Sequence, residues 1–264
     1  MPLITLSTDF GWDDPYVGIM KGVILGINPG VRLVDLTHTL SHHQLLEAAF
    51  ILNTAYPYFP FGTIHLTVVD PGVGGERRLI AVQGEDSVWV GPDNGLFTLV
   101  LKNRPEAETV LLTNTNFFRK TVSSTFHGRD ILAPVAAHLS LGIPLATMGP
   151  KITDPVLLPG LDPKVNKNEI IGRVLWADNF GNLITNISQK TLSPFLSGSS
   201  LNIIIGSHNT MTEIHQTYSQ GPPDGFMALI GSSGYLEIAS NLGNAAEKVG
   251  FQSGMEVKVR VINN

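Results

Sequence analysis

Apolar and polar positions along this chain follow two different rhythms. In the first half, short apolar runs alternate with segments whose apolar residues recur at helical spacing. Leu3 to Ser7 is a strand-like run ending on Thr8-Asp9. Pro15 to Ile27 reads as a helix capped by Asp14, with Pro15 suited to its first turn, and Asn28-Pro29-Gly30 ends it. Arg32 to Thr37 is strand-like. Ser41 with Gln44 three residues on has the form of a capping box, ahead of an apolar stripe of Leu45, Leu46, Ala49 and Phe50 that fades near Tyr56-Pro57. Thr63 to Val69 is a nearly continuous apolar strand. Leu79 to Val82 and Val88 to Val90 pair across a polar turn at Gly84-Glu85-Asp86, and helices are expected over Leu96 to Leu101 and Gly128 to Leu141. This alternation predicts an α/β domain with a mostly parallel sheet covered on both faces.

The rhythm changes at Gly149 to Asn168, a stretch with four prolines and little periodic order. Beyond it the helical spacing almost disappears. Ile170 to Trp176, Leu183 to Ile187, Leu201 to Ile205, Phe226 to Ile230, Tyr235 to Ile238 and Val257 to Val261 are short strand candidates. Their spacing predicts a smaller all-β, barrel-like domain. The expected division is residues 1–150 as the α/β domain, 151–169 as a linker and 170–264 as the β-rich C-terminal domain.

Composition narrows the function. The chain has 264 residues, enough for one large domain or two modest ones, and its 43% hydrophobic content supports a sizeable core. A net charge of −5 with no basic block gives nucleic-acid binding little electrostatic support. The absence of cysteine excludes disulfides, thiolate zinc sites and cysteine nucleophiles. The N-terminus has no signal-peptide pattern and no apolar run is long enough to span a bilayer, so the expectation is a cytoplasmic protein without a membrane partner.

In open parallel sheets, ligands bind beyond the carboxyl ends of the strands. Three predicted strand ends carry polar clusters: Thr8-Asp9, Asp35-Leu36-Thr37-His38, and Asp70. The string Asp70-Pro71-Gly72-Val73-Gly74-Gly75-Glu76-Arg77-Arg78 places a carboxylate at a strand end, then glycines that permit close backbone approach, then cations. An ordinary Asp-Pro-Gly turn is the plainer reading of Asp70 alone. Phe126-His127-Gly128-Arg129-Asp130 puts a histidine just before a helix, where its ring either faces a cleft as a proton carrier or merely packs. His38, His42 and His43 invite a metal reading, but His38 precedes the expected cap at Ser41, and a surface cluster at a helix start is the simpler account. Gly91-Pro92-Asp93-Asn94-Gly95 is a turn from which Asn94 can reach a ligand. Asp178-Asn179-Phe180-Gly181-Asn182 is a hairpin tip or an acid, aromatic and amide suited to a purine with a polar tail. Ser232-Ser233-Gly234-Tyr235-Leu236-Glu237-Ile238-Ala239 brings two hydroxyls and a glycine ahead of a strand. The signature loops of Rossmann, P-loop, α/β-hydrolase and zincin enzymes are absent.

Taken in order, Ser7-Thr8-Asp9-Phe10-Gly11, Asp70-Pro71-Gly72-Val73-Gly74 with Arg77, Phe126-His127-Gly128-Arg129-Asp130, Asp178-Asn179-Phe180-Gly181-Asn182 and Ser232-Ser233-Gly234-Tyr235-Leu236 resemble one family nearly end to end. It is the S-adenosyl-L-methionine hydroxide adenosyltransferases, hydrolase relatives of the fluorinase and chlorinase enzymes. The resemblance implies hydrolysis of S-adenosyl-L-methionine to adenosine and L-methionine, by in-line attack of an activated water at ribose C5′ and with no cofactor or metal. It implies a catalytic triad of Asp70, Arg77 and His127. It also implies substrate contacts from Asp9 to the ribose, from Asp14, Asp178 and Ser232 to the methionine part, and from Phe180 and Asn182 to the purine. Asn94, Tyr235, Glu237 and Ala239 complete the expected substrate-binding set. Homotrimers with sites at subunit interfaces are implied as well. The intact triad argues against a halogenase. Two rival classes remain: a non-catalytic nucleoside-binding module, and a metal-dependent hydrolase built on His38, His42, Asp70 and His127.

Overall fold

The computed structural model describes every residue except 43, 197–199, 207–208 and 263–264, so His43 of the histidine cluster lies outside the described residues. The chain forms two compact units, Met1–Leu158 and Pro159–Asn264.

The first unit holds strands β1 (Leu3–Thr8), β2 (Arg32–Thr37), β3 (Thr63–Val68), β4 (Leu79–Gln83), β5 (Ser87–Pro92), β6 (Glu108–Leu111) and β7 (Lys151–Ile152). They form one sheet in the order β2-β1-β3-β5-β4-β6-β7. Its helices are α1 (Tyr16–Ile27), α2 (Leu45–Ala55), α3 (Thr98–Asn103) and α4 (Ala133–Ser140). The pairs β1–β2, β1–β3 and β3–β5 are parallel, whereas β4–β5, β4–β6 and β6–β7 are antiparallel. The sheet is therefore mixed rather than mostly parallel. The reason is local: the turn over Gly84 to Ser87 is closed by Gly84 N–H donating to Ser87 O at 3.0 Å, too short for a crossover helix, so β4 and β5 must run antiparallel. Both faces are covered as the apolar pattern requires. Ile4, Leu6, Leu66 and Val68 pack with Met20 and Ile24 of α1 and Val135 of α4. On the other face Val82 and Trp89 pack with Ala48 and Leu52 of α2 and Val100 of α3. Each such aliphatic side chain contributes about 1.5–3 kcal/mol by leaving water.

Three local expectations change. Asp14 does not cap α1, because Pro15 itself takes the N-cap place and its carbonyl accepts from Ile19 N–H at 2.9 Å, leaving Asp14 exposed one residue outside. Ser41 and Gln44 form no capping box: α2 starts only at Leu45, and Ser41 instead closes a turn through its carbonyl to Gln44 N–H. The segment expected as one helix from Gly128 opens with a π-helical turn, Gly128–Leu132, before α4.

The second unit contains β8 (Lys164–Val165), β9 (Glu169–Ala177), β10 (Leu183–Ser188), β11 (Ser200–Ile205), β12 (Asn209–Met211), β13 (Ile214–His215), β14 (Phe226–Ile230), β15 (Tyr235–Ser240) and β16 (Glu256–Ile262). Their order is β12-β11-β16-β9-β10-β15-β14-β13, with β8 beside β9, and every pair except β13–β14 is antiparallel. The sheet curls until β12 meets β14, giving a nearly closed barrel around Ile170, Leu183, Ile203, Leu236, Ile238 and Val257.

Candidate active site

The carboxyl ends of β1, β2 and β3 converge in the first unit, as parallel pairing requires. A cleft of about 250 Å³ opens there, lined by Asp9, Phe10, His42, Asp70, Phe126 and His127 among others. After β3 the chain makes two tight turns in succession, Val73 N–H donating to Asp70 O at 3.2 Å and Gly75 N–H to Gly72 O at 3.0 Å. Gly74 is the third residue of the second turn, at φ +80°, and a Cβ there would lie 2.5 Å from the Ser124 carbonyl oxygen. The loop carrying Asp70 thus touches the backbone of the loop carrying His127, and only glycine allows it.

That approach closes the three-residue contact. Arg77 Nε lies 3.0 Å from both Asp70 oxygens, and its Nη2 donates to Asp70 Oδ2 at 2.6 Å. The same Nη2 donates to His127 Nδ1 at 2.8 Å. A guanidinium only donates, so Nδ1 accepts and the neutral ring carries its proton on Nε2. Burial, and then the Arg77 charge, lower the His127 pKa below its ordinary value, against smaller opposing contributions from Asp70 and the Ser123 backbone. Asp70 and His127 line the cleft, whereas Arg77 bridges them from behind it. Arg129 and Asp130 form the structural pair that their position at a helix start suggests: Asp130 is fully buried, accepts from Ser123 N–H, and is held at about 2, where burial alone would raise it, by hydrogen bonds from Arg129 and Ser123.

Two residues expected near this site have local partners. Asn94 donates to the Val69 carbonyl at 2.9 Å and accepts from Leu96 N–H, so its side chain anchors the residue before Asp70. His38 is not on the surface as a helix-start histidine would be. It follows β2 and is fully buried, with Nδ1 2.9 Å from Thr8 Oγ1 on the neighbouring strand β1 and Nε2 2.9 Å from Asp35 Oδ1 three residues earlier in β2.

In the second unit, a cleft of about 670 Å³ is lined by Asp178, Phe180, Asn182, Tyr218, Ser232 and Glu237, among others. Asp178 to Asn182 is the hairpin between β9 and β10, closed by Asp178 N–H donating to Asn182 O at 3.0 Å. Asp178 Oδ1 accepts from the N–H groups of Phe180 and Asn182, and Oδ2 from the Asn182 amide. This locked loop presents Phe180, 78% exposed, to the cleft. Glu237 is buried, and burial first and Asp178 next raise its pKa, against the hydrogen bond from Tyr218 O–H at 2.8 Å. Tyr235 and Ala239 do not line this cleft. Ala239 is fully buried against Met227 and Leu229, and Tyr235 is half-buried. Tyr218 was not foreseen: it lies in a polar stretch, Thr217-Tyr218-Ser219-Gln220, with no apolar rhythm to mark it.

Both halves match known sequence families. Residues 4–149 match the SAM hydroxide adenosyltransferase N-terminal domain and residues 172–258 its C-terminal domain. This chain belongs to the SAM hydroxide adenosyltransferase family. It is 38% identical to an (R)-S-adenosyl-L-methionine hydrolase of Thermus thermophilus, over 98% of this chain and 99% of that protein. A Methanocaldococcus jannaschii protein of the same name is 34% identical over 98% and 96%. A Nocardia brasiliensis fluorinase is more distant, 27% identical over 98% and 97%. The crystal structure of an uncharacterized conserved protein from Thermotoga maritima superposes with a TM-score of 0.90 at 34% identity, covering 97% of this chain and 99% of that one. For a SAM hydroxide adenosyltransferase, the two clefts hold eight of the thirteen groups that the sequence strings single out. Asp9, Asp70 and His127 fall in the first, and Asp178, Phe180, Asn182, Ser232 and Glu237 in the second. Arg77, Asp14, Asn94, Tyr235 and Ala239 line neither.

Proposed function

We propose that this chain hydrolyses S-adenosyl-L-methionine to adenosine and L-methionine by in-line attack of a water or hydroxide on ribose C5′. The contact of Arg77 with both Asp70 and His127 at the first cleft carries this reading. A sulfonium is already a good leaving group, so the protein's task is to position and activate the oxygen nucleophile. Asp70 keeps acceptor capacity beyond its ion pair, since each carboxylate oxygen has two lone pairs, and it takes the proton of the attacking water. His127 meanwhile holds Arg77 through its Nδ1 lone pair. The guanidinium between them favours a developing hydroxide in the cleft. Asp9 holds the ribose. Phe180 and Asn182 hold the purine, and Asp178 and Ser232 the methionine part, with Glu237 beside them; Asn94 acts by anchoring the Val69 carbonyl next to Asp70. The relatives are named for the R epimer, and that sulfonium configuration is included among this chain's substrates.

The groups divide between the two units, and the family resemblance supports a homotrimer in which one copy's Asp70 half-site meets another copy's Asp178 half-site. A pure nucleoside-binding module has no need of the Asp70–Arg77–His127 contact. The metal-hydrolase set is not assembled, because His38 spends both ring nitrogens on Thr8 and Asp35. The decisive variant is Arg77→Ala. Its expected turnover, read as adenosine released, falls by about 10²-fold or more, while substrate binding persists. Undiminished turnover in that variant removes Arg77 from the mechanism.

A further inference from the structure

The buried histidine at the end of β2 reaches toward the first cleft without lining it. His38 Nε2 faces the Asp35 carboxylate at 2.9 Å and must donate to it, so Nδ1 accepts the Thr8 hydroxyl proton. Thr8 Oγ1 in turn accepts from Phe10 N–H at 3.3 Å. From the other side, Gly11 N–H donates to the His38 carbonyl at 2.7 Å. The ring and the main chain of one residue therefore grip both flanks of the loop that carries Asp9, itself 8% exposed at the cleft. Trp12 covers the ring edge-on at 4.6 Å. The far end of the chain of bonds is fixed by Lys21 of α1, whose Nζ donates to Asp35 Oδ2 at 2.5 Å. Burial alone would raise the Asp35 pKa, but hydrogen bonds from His38 and Lys21 hold it below the usual carboxylate value, so it remains an acceptor.

We infer that His38 is a positioning residue which, through Thr8 and Asp35, fixes the Asp9 loop and so sets the affinity of the site for the ribose of its nucleoside. This rests on the reading of Asp9 as the ribose-binding acid. The bonds of His38 outside its own strand land on Thr8, the residue before Asp9, and on Gly11, two residues after it, while Thr8 Oγ1 in turn holds Phe10 N–H, so both flanks of Asp9 are tied to one histidine. The acid at the far end is 27% exposed and outside the cleft, so changing it leaves the ligand contacts alone and acts through His38.

The test is calorimetric binding of adenosine to the full chain, with KM, kcat and melting temperature measured alongside, for Thr8→Val, Thr8→Ser, Asp35→Ala and Asp9→Ala. Thr8→Val and Asp35→Ala are expected to weaken adenosine about tenfold and raise KM in step, with kcat changed less than about twofold. Thr8→Ser restores the hydroxyl and stays near the parent, a rescue that loss of packing would not give. If Thr8→Val does not fold, Asp35→Ala decides. Parental adenosine affinity in Thr8→Val and Asp35→Ala, with affinity lost in Asp9→Ala, overturns the inference and leaves Asp9 in place. Parental affinity in Asp9→Ala removes the ribose reading and the inference together.

Discussion

At the scale of single residues, chemistry hangs on which atoms are already engaged. His127 works in the proposed mechanism as a neutral ring whose Nδ1 accepts from Arg77. Protonation destroys that acceptor and places a cation against the guanidinium. Its pKa lies below 6.5, through burial first and Arg77 second, so the neutral form persists through pH 7 and into mildly acidic solution. Turnover is accordingly expected to be flat down to about pH 6.5, the ordinary histidine value, and to fall only at lower pH as the ring charges. A pH profile of kcat/KM, with His127→Asn for comparison, checks this; a loss beginning above pH 7 contradicts it. Asp70 and Arg77 stand out in the sequence as a local string of strand-end carboxylate, glycines and cation, and His127 stands out separately as a histidine just ahead of a helix; that the three act together is implied only by the family resemblance. The bond from Arg77 to His127 crosses 50 positions, and no periodicity reports it. His38 was misjudged for the same reason: its partner Thr8 is 30 positions away, on a neighbouring strand.

At the scale of elements, the glycine-rich loop after β3 is shaped by its neighbour. Gly74 has both a positive φ and a Ser124 carbonyl oxygen where a Cβ would sit. Gly74→Ala is expected to destabilise the fold by more than about 1 kcal/mol and to cut kcat by pushing Asp70 and His127 apart. Melting temperature and turnover of this variant test the point; unchanged kcat would show that the two loops need not touch for catalysis. Strand and helix positions followed well from apolar rhythm, as in β1, β3, β10 and β14. The short strands β6, β7, β8, β12 and β13 have no apolar run to mark them. Helix starts shifted because proline and turn carbonyls replaced the expected side-chain caps at Asp14 and Ser41. The β4–β5 hairpin follows from the sequence, but β6 and β7, which no apolar run marks, extend it with further antiparallel pairs, and these make the sheet mixed rather than mostly parallel.

At the scale of the whole molecule, the candidate groups are shared between two units that are each well packed on their own apolar core. If a site is completed between copies, Arg77→Ala and Asp178→Ala are each inactive alone. Mixed and reassembled, they regain turnover, because some interfaces unite two intact halves. Sedimentation of the parent should then give the mass of three 28.5 kDa chains. A monomer, or no recovery on mixing, argues against that arrangement. The central claim is the bond that is made. Purified protein incubated with S-adenosyl-L-methionine in oxygen-18 water, followed by mass spectrometry of the products, reports it directly. The account predicts adenosine carrying the heavy oxygen at C5′ and an equal amount of unlabelled L-methionine. Substrate that binds but remains whole, or adenosine without the label, would contradict it.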